Sequence, residues 1–439
     1  MKPQSVQFEP VAAPVSGKAR VPGSKSITNR ALICAAMARG ESVLSGVLES
    51  EDTEVMIEAW RTLGLTLHWD KQAEVVRIEG CGGQPPTPHG DLFIANSGTS
   101  IRFLTAALAA TQGEYRLDGV ARMRERPIAD LIHGLRDLGA DLRSENESNP
   151  NCPPVRIHGR GLHGGVAQVA GNVSSQFLSG MMMAAPYARA PIAIQVTGEL
   201  VSKPYVEMTA AVMQSFGVSV ESHPSENSAN LHYKINAPMH YRGCEYAIEP
   251  DGSAASYFWG AAAITGGRVR VQGLSRGALQ GDVGFVDVLE KMGCEAIYGE
   301  DFIEVIGKPL RGIDIDMNAI SDTVQTLAPI AMFAEGPTRI RGVAHNRHKE
   351  TDRIGDLAKE LRKVGAQVTE HEDGLTIQPG AYHPAVLETY HDHRMAMSFA
   401  LIGMRTPGIT ILDPRCTNKT FPRYFEVMGE LIGQSPCYR

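Results

Sequence analysis

The stretch that decides the fold runs from residue 23 to residue 80 and reads GSKSITNRALICAAMARGESVLSGVLESEDTEVMIEAWRTLGLTLHWDKQAEVVRIEG. After the polar opening GSKSITN, the Ala-rich run RALICAAMARG predicts a buried helix with a glycine stop, and ESVLSGV predicts a short strand. The segment TEVMIEAWRTLG has apolar residues at helical i, i+3 and i+4 spacing, which predicts an amphipathic helix, and AEVVRIEG predicts another strand. This mixture of helices and strands indicates an α/β or α+β fold.

The same order of segments returns six times along the 439 residues. A glycine ends each amphipathic helix, and these glycines stand 75, 78, 76, 72 and 64 residues apart, at Gly64, Gly139, Gly217, Gly293, Gly365 and Gly429. Such regular spacing predicts a repeated supersecondary unit. A helix without a polar face belongs inside a domain, and three units can surround three such helices. Six units therefore predict two domains of three repeats each, with the boundary near residues 246–249.

Composition and charge restrict the class of function. The apolar fraction is 43% and the formal net charge is -7, so no overall basic field attracts nucleic acid, and any anion site must be local. The first residues lack the pattern of a signal peptide, and no run of ~18 apolar residues predicts a membrane span. The seven cysteines form no CxxC pair and no zinc spacing, which indicates reduced thiols and no metal. We expect a cytoplasmic protein that contacts neither membrane nor nucleic acid.

Each unit opens with small polar residues where a helix starts, and helix starts bind phosphates and carboxylates. Ser, Thr, Asn and Asp at these positions are ordinary N-caps, which by themselves explain most of the pattern. Cations beside them need another explanation. These are Lys25, Arg30, Arg102 and Arg394 at helix starts, and Arg122, Arg124, Lys203, Lys349, Arg353 and Lys419 in loops. Together they predict a ligand with several phosphate or carboxylate groups.

Two carboxylates stand beside those cations. Asp322 opens the fifth unit, and Glu350 lies in the segment HKETDR, between Lys349 and Arg353. Asp322 has an N-cap as its ordinary role, and Glu350 has that of an acid in the first turn of a helix. A carboxylate among fixed cations can also accept or donate a proton. The spacing alone leaves both alternatives open.

Eight motifs, in order, resemble the 5-enolpyruvylshikimate-3-phosphate synthase (EPSP synthase) family, and the resemblance runs from about Pro22 to Phe425. The motifs are PGSKSITNRA, NSGTSIRFL, RMRERPI, SSQF, SKPY, HKETDR, DHRMAM and CTNKTFPRYF. The resemblance implies a two-domain inside-out α/β barrel, in which each domain has three repeated βαβαββ-type units with pseudo-threefold symmetry. It implies an N-terminal domain over residues 23–248 and a C-terminal domain over residues 1–22 plus 249–439, joined by a two-strand hinge.

The resemblance also implies the reaction. The enolpyruvyl group of phosphoenolpyruvate would pass to the 5-hydroxyl of shikimate 3-phosphate, by addition and then elimination of phosphate. It implies no metal and no cofactor, and we expect a monomer. Because the family's ligands are held from both domains, a closure step is expected to assemble the site and exclude water.

By the same resemblance, Asp322 would be the proton acceptor and Glu350 the proton donor, with Lys25 assisting. Both Lys25 and Asp322 would also contact the substrates. Shikimate 3-phosphate would be held by Ser26, Arg30, Ser174, Ser175, Ser202 and Lys349, and Gln176 would touch both ligands. Phosphoenolpyruvate would be held by Gly98, Arg122, Arg353, Arg394 and Lys419.

The chain departs from the family pattern at three positions in or near these motifs. His345 stands where the family often has Asn, and Ser97 and Phe103 replace an Ala and a Pro around Gly98. Gly98 itself is present, and this implies inhibition by glyphosate, since no side chain would fill the space that the phosphonate needs.

Three other families offer rival interpretations. The sister enolpyruvyl transferase acting on UDP-N-acetylglucosamine commonly uses a loop cysteine, but GVARMRERPI has none. A sliding DNA clamp also repeats six modules in an acidic chain, but it lacks clusters such as HKETDR. RNA-terminal phosphate cyclases share the repeated unit, but they would need a nucleotide-reactive histidine and ATP.

Overall fold

The computed structural model describes residues 4–224 and 231–439 of the chain. The helices are α1 (Lys25–Met37), α2 (Glu51–Thr62), α3 (Gly98–Ala109), α4 (Ala129–Asp137), α5 (Ser175–Ala184), α6 (Lys203–Ser215), α7 (Gly252–Thr265), α8 (Phe285–Lys291), α9 (Val324–Met332), α10 (Gly355–Lys363), α11 (His393–Gly403) and α12 (Tyr424–Ile432). The strands are β1 (Ser5–Gln7), β2 (Ser16–Ala19), β3 (Arg39–Ser45), β4 (Leu67–Asp70), β5 (Val75–Cys81), β6 (His89–Phe93), β7 (Gln112–Asp118), β8 (Asp141–Ser144), β9 (Val155–Arg160), β10 (Gly165–Ala170), β11 (Ile192–Thr197), β12 (Val220–Pro224), β13 (Leu231–Ile235), β14 (Glu245–Ala247), β15 (Arg268–Gln272), β16 (Glu295–Tyr298), β17 (Phe302–Ile306), β18 (Asp314–Asp316), β19 (Thr338–Arg341), β20 (Gln367–His371), β21 (Gly374–Gln378), β22 (Ala385–Leu387), β23 (Ile409–Leu412) and β24 (Cys437–Tyr438).

The strands form six four-stranded sheets with one common pattern. Across each sheet the orders are β14-β3-β5-β4, β6-β7-β9-β8, β10-β11-β13-β12, β2-β15-β17-β16, β18-β19-β21-β20 and β22-β23-β1-β24. In every sheet the first pair is parallel and the other two pairs are antiparallel. The six-fold repetition expected from the glycine spacing is thus a repetition of sheet topology. Five repeats have two strands after their amphipathic helix, where our interpretation of the residues alone predicted one, and in the sixth only β24 follows α12.

Two strands are exchanged between the halves of the chain. In four repeats the first strand of the sheet leads directly into the buried helix of that repeat, as β6 leads into α3. In contrast, β2 precedes α1 but pairs with β15, and β14 precedes α7 but pairs with β3. The segment β1 likewise completes the sheet of the last repeat, between β23 and β24. The strands β1 and β2 therefore belong structurally with the second half of the sequence.

The chain divides into two compact units. The N-terminal unit comprises Gly23–Ile248, and the C-terminal unit comprises Met1–Pro22 with Glu249–Arg439. Each unit has its own apolar core. The N-terminal core is built around α1, α3 and α5, and the C-terminal core around α7, α9 and α11, all six of which are buried along nearly their whole length. The prediction that the Ala-rich helices lie inside is confirmed.

The buried helices α3 and α5 pack closely against each other. Gly180 in α5 faces α3, and a Cβ atom there would lie 3.2 Å from the carbonyl oxygen of Arg102. A small residue is thus needed where the two helix backbones approach.

Among the helices of the described ranges, none combines the length and the apolar character that crossing a bilayer requires.

Candidate active site

A buried arginine organises the cationic cluster of the C-terminal unit. Arg353 is 1% exposed. Its Nε and Nη2 donate to the two carboxylate oxygens of Asp392 at 2.6 and 3.1 Å, and its Nη1 donates to Asp322 Oδ1 at 3.1 Å. Glu350 Oε2 lies 2.8 Å from Nη2. Burial alone would lower the pKa of Arg353, but the carboxylates of Asp392, Glu350 and Asp322 together raise it above its ordinary value.

Asp322 lies among three cations. Its Oδ1 is 3.1 Å from Arg353 Nη1 and 3.9 Å from Lys349 Nζ, and its Oδ2 is 2.9 Å from Arg394 Nη2. The family resemblance assigned Lys349 to shikimate 3-phosphate, and Arg353 and Arg394 to phosphoenolpyruvate. The carboxylate thus touches cations of both predicted ligand groups, which is where a proton acceptor between two substrates has to lie.

The structure decides the alternatives that the spacing left open for the two carboxylates. The helix α9 begins after Thr323 and has no side-chain cap, so Asp322 is not its N-cap. The helix α10 begins at Gly355, so Glu350 lies five residues before it, outside its first turn. Both ordinary roles are therefore wrong, and the two carboxylates point to cations instead.

Arg394 lies in the first turn of α11, and Lys419 lies at the end of a 3-10 turn. Asp392 is the N-cap of α11 and accepts the backbone N–H of Arg394 at 2.9 Å, and Arg394 Nη2 donates to Ser253 Oγ at 3.4 Å. Lys419 is buried and ends the 3-10 turn Pro414–Lys419. The backbone of both cations thus belongs to a regular turn of helix.

His345 is a buried neutral base beside this cluster. Burial lowers its pKa to about 3, helped by the charges of Lys349 and His348 and opposed by that of Asp322. The imidazole is therefore uncharged at neutral pH. In the family the corresponding Asn is also an uncharged polar group, so the departure found in the sequence changes the side chain but not its charge.

In the N-terminal unit, Arg30 is a buried cation whose hydrogen-bond acceptors among the described residues are neutral. Its guanidinium donates to Thr209 Oγ1 at 2.7 Å, to the carbonyls of Ser26 and Tyr205 at 2.8 and 3.1 Å, and to Ser179 Oγ at 3.4 Å. Burial lowers its pKa to about 10. Because no carboxylate among the described residues contacts it, its charge is left for an anion to neutralise.

A second buried guanidinium covers Gly98 at the start of α3. Arg126 is 3% exposed, and its Nη1 donates to the carbonyl oxygen and to Oδ1 of Asn96 at 2.9 and 3.2 Å. Its Nη2 lies 2.4 Å from the position that a Cβ atom on Gly98 would take. Within the described part of the chain its Nε has no hydrogen-bond partner. This unsatisfied buried donor, at a helix start, is suited to an anionic ligand.

The structure places Arg122, which the sequence assigned to phosphoenolpyruvate, at the surface. Its side chain is 35% exposed and pairs with Glu125 at 2.8 Å. Arg124 pairs with Asp118 at 2.7 Å. Arg126, the third arginine of RMRERPI, was not among the predicted residues, because three arginines at alternate positions give no sign of which one is buried. The Pro that follows Arg126 and fixes the chain was the available signal.

The first turns of α3 and α5 are joined by a hydrogen bond. Arg102 Nη1 donates to Gln176 Oε1 at 2.5 Å. Ser174 is the N-cap of α5 and accepts the backbone N–H of Gln176 at 3.3 Å, and Ser175 is buried beside it. The structure thus brings the predicted residues Ser174, Ser175 and Gln176 together at one helix start.

Two more predicted residues begin helices in this unit. Lys25 is the first residue of α1, after the N-cap Ser24. Ser202 precedes α6 with φ 54° and ψ 42°, a left-handed conformation that a residue with a side chain rarely adopts. Strain of this kind is found more often at functional sites than elsewhere.

Among residues 4–224 and 231–439, no group of three or more His, Cys, Asp and Glu side chains is arranged to hold a metal ion.

Comparison with known proteins identifies the family. The family described as EPSP synthase (3-phosphoshikimate 1-carboxyvinyltransferase) matches residues 11–428. A protein of Trichormus variabilis named 3-phosphoshikimate 1-carboxyvinyltransferase is 48% identical over 422 residues, which are 96% of this chain and 97% of that protein. A protein of the same name from Shewanella sp. strain W3-18-1 is 45% identical over 433 residues, or 98% and 100% of the two chains.

Solved structures agree with the fold. EPSP synthase from Acinetobacter baumannii matches with a TM-score of 0.81 and 28% identity, over 99% of this chain and 100% of that chain. The enolpyruvyl transferase NikO from Streptomyces tendae matches with a TM-score of 0.79 at 19% identity, over 100% and 99% of the two chains, which shows a common fold. The predicted inside-out α/β barrel of βαβαββ-type repeats is confirmed.

Proposed function

The chain belongs to the EPSP synthase family, and from this premise we propose that it transfers the enolpyruvyl group of phosphoenolpyruvate to the 5-hydroxyl of shikimate 3-phosphate, releasing phosphate. The observation that carries the proposal is the position of Asp322, within 4 Å of Lys349, Arg353 and Arg394. An acid–base group surrounded by fixed cations suits a reaction between two polyanions.

The proposed chemistry assigns a step to each carboxylate. Asp322 accepts the proton of the 5-hydroxyl while that oxygen bonds to the central carbon of phosphoenolpyruvate, and Glu350 donates a proton to the methylene carbon. The tetrahedral adduct then loses a methyl proton and phosphate, which restores the carbon–carbon double bond. The neighbouring cations stabilise the phosphate and carboxylate charges throughout.

For each substrate we propose binding residues from both units. For shikimate 3-phosphate we propose Arg30 with Lys25, Ser26, Ser174, Ser175, Gln176 and Ser202, together with Lys349. For phosphoenolpyruvate we propose Gly98, Arg353, Arg394 and Lys419, with Gln176 shared. Arg126 joins this second set because it is buried against Gly98 and has no carboxylate partner among the described residues. Arg122 remains an alternative to it.

We also propose how the molecule works as a whole. The units would act as two domains on a two-strand hinge, and closure would exclude water from the substrates. The enzyme would work as a cytoplasmic monomer, without a metal or an organic cofactor and without binding nucleic acid. The net charge of -7 supports the last point.

Phosphate release tests the proposal. We expect release from phosphoenolpyruvate only when shikimate 3-phosphate is also present, and loss of kcat by roughly 100-fold or more in Asp322→Asn and in Glu350→Gln. The matched control is Asp373→Asn, which loses a surface pair with Arg339 at 2.7 Å in the same unit and should keep kcat. Release that depends on UDP-N-acetylglucosamine, or tight binding of duplex DNA, would replace the proposal by one of its rivals.

A further inference from the structure

The segment before α11 is strained at two successive residues. Tyr390 and His391 have φ values of 54° and 55°, in the left-handed region. Neither is glycine, so this backbone persists only if the surroundings hold it. The next residue is Asp392, which caps α11 and binds Arg353, and Arg394 follows two residues later. A change in the backbone of this segment would therefore move Asp392, and with it the side chains of Arg353 and Arg394.

A fully buried carboxylate holds the first strained residue. Glu360 in α10 is 0% exposed, and its oxygens accept the Tyr390 hydroxyl at 2.6 Å and the Glu388 backbone N–H at 2.9 Å. Lys363 Nζ lies 2.7 Å from the same carboxylate. The mechanism proposed above uses none of these residues. A buried carboxylate needs such donors; one of them belongs to Tyr390 and another to Glu388, two residues before it.

The second strained residue is tied to the segment that carries Lys419. His391 Nδ1 lies 2.7 Å from Asp413 Oδ2. Asp413 is itself left-handed, with φ 45°, and it immediately precedes the 3-10 turn Pro414–Lys419. The pair therefore joins the two backbone segments that deliver Arg394 and Lys419.

We propose that Glu360, Tyr390, His391 and Asp413 are positioning residues for the phosphoenolpyruvate-binding cations Arg353, Arg394 and Lys419. This inference rests on the proposed function. Glu360 fixes the strained segment against α10, and the His391–Asp413 pair fixes its distance from the Lys419 turn. None of the four touches substrate; they act by holding the cations where the carboxylate and phosphate of phosphoenolpyruvate must bind.

Two small changes test the inference. Tyr390→Phe removes one hydroxyl, and His391→Asn keeps a residue type that accepts φ > 0 but is too short to reach Asp413. The matched control is Tyr382→Phe, which loses a hydroxyl bonded to the Met332 carbonyl and to the Gly380 N–H, away from the strained segment. KM for each substrate, kcat and the thermal midpoint are measured for all four proteins.

We expect Tyr390→Phe to raise KM for phosphoenolpyruvate about tenfold, and His391→Asn, whose imidazole is 88% exposed, to raise it about two- to fivefold, with KM for shikimate 3-phosphate unchanged in both. The control should leave both constants as in the wild type. Unchanged KM for phosphoenolpyruvate in both variants would overturn the inference. So would an equal rise in both KM values with a lowered thermal midpoint, because that is what a merely structural role produces. A wild type that releases no phosphate from its two substrates would instead refute the proposed function, and the inference with it.

Discussion

Arg126 occupies the space that any side chain at position 98 would need. The clash falls on the end of a long side chain, 2.4 Å from its Nη2, and not on the backbone. A substitution at Gly98 therefore displaces the guanidinium without breaking the fold. The predicted inhibition by glyphosate stays a prediction.

Changing Gly98 to Ala should weaken both phosphoenolpyruvate and glyphosate binding. The added methyl group moves Arg126, and we expect KM for phosphoenolpyruvate to rise several-fold and glyphosate inhibition to fall by more than that. Gly90→Ala is the control, since its Cβ would meet only atoms at 3.5 Å or beyond. Steady-state kinetics with and without glyphosate measure both effects. A wild type that is equally active in saturating glyphosate would contradict the sensitivity itself.

His345 should make the fold less stable in acid. Its pKa of about 3 lies below the ordinary value of 6.5, so between these values the unfolded chain binds a proton that the folded chain does not. This contribution is present above pH 6.5 and is lost as the pH falls towards 3, by at most about 1.4 kcal/mol per pH unit. We expect His345→Asn to lose less stability than the wild type between pH 7 and pH 4.5. Urea midpoints across that range measure it, and parallel curves would exclude this role of His345.

At the scale of elements, helix starts carry the site, but capping alone does not mark it. Ser50 caps α2 through the Thr53 N–H just as Ser174 caps α5 through the Gln176 N–H, and only the second was assigned a ligand. Besides the caps, the sequence showed which helix starts have cations beside them. It could not show which helix starts face one another, because that depends on packing between repeats.

Ser174→Ala and Ser50→Ala form a matched pair. Each should lower the free energy of unfolding by about 0.5–2 kcal/mol, because each removes one N-cap acceptor. We expect only Ser174→Ala to raise KM for shikimate 3-phosphate. Thermal midpoints and kinetics of both variants provide the comparison. An equal effect of the two on KM would mean that Ser174 acts only as a cap.

Strand prediction succeeded where apolar runs were long and failed where strands were short or polar. The pattern AEVVRIEG predicted β5, but its partner β4 reads LHWD and has only intermediate and exposed residues. Such a strand exists because β5 pairs with it, with Trp69 opposite Val76, and not because of its own composition. Local sequence holds little information about strands formed in this way.

At the scale of the whole molecule, the two units differ in continuity. The N-terminal unit is a single segment, Gly23–Ile248, that includes the borrowed strand β14. The C-terminal unit needs β1 and β2 from the start of the chain to complete two of its sheets. The sequence pattern alone could not assign these two strands, since residues 1–22 are too short to form a repeat.

The continuous unit should fold alone, and the other should not. We expect the fragment 23–248 to unfold cooperatively in urea, because its three sheets and its core are complete. The fragment 249–439 should lack a cooperative transition, since β23 and β24 lose the strand between them. Circular dichroism during urea titration compares the two. Equal cooperativity would show that β1 and β2 contribute little.

The strand exchange also sets an order of events during synthesis on the ribosome. The strand β2 emerges early, but its partner β15 is made about 250 residues later, roughly 10–50 s at ~5–20 residues per second. The strand β1 waits still longer, for β23 and β24. The nascent N-terminal unit can fold during that interval, while the strands β1 and β2 remain unpaired. Chaperones that shield exposed strands would have most to do at this early end of the chain.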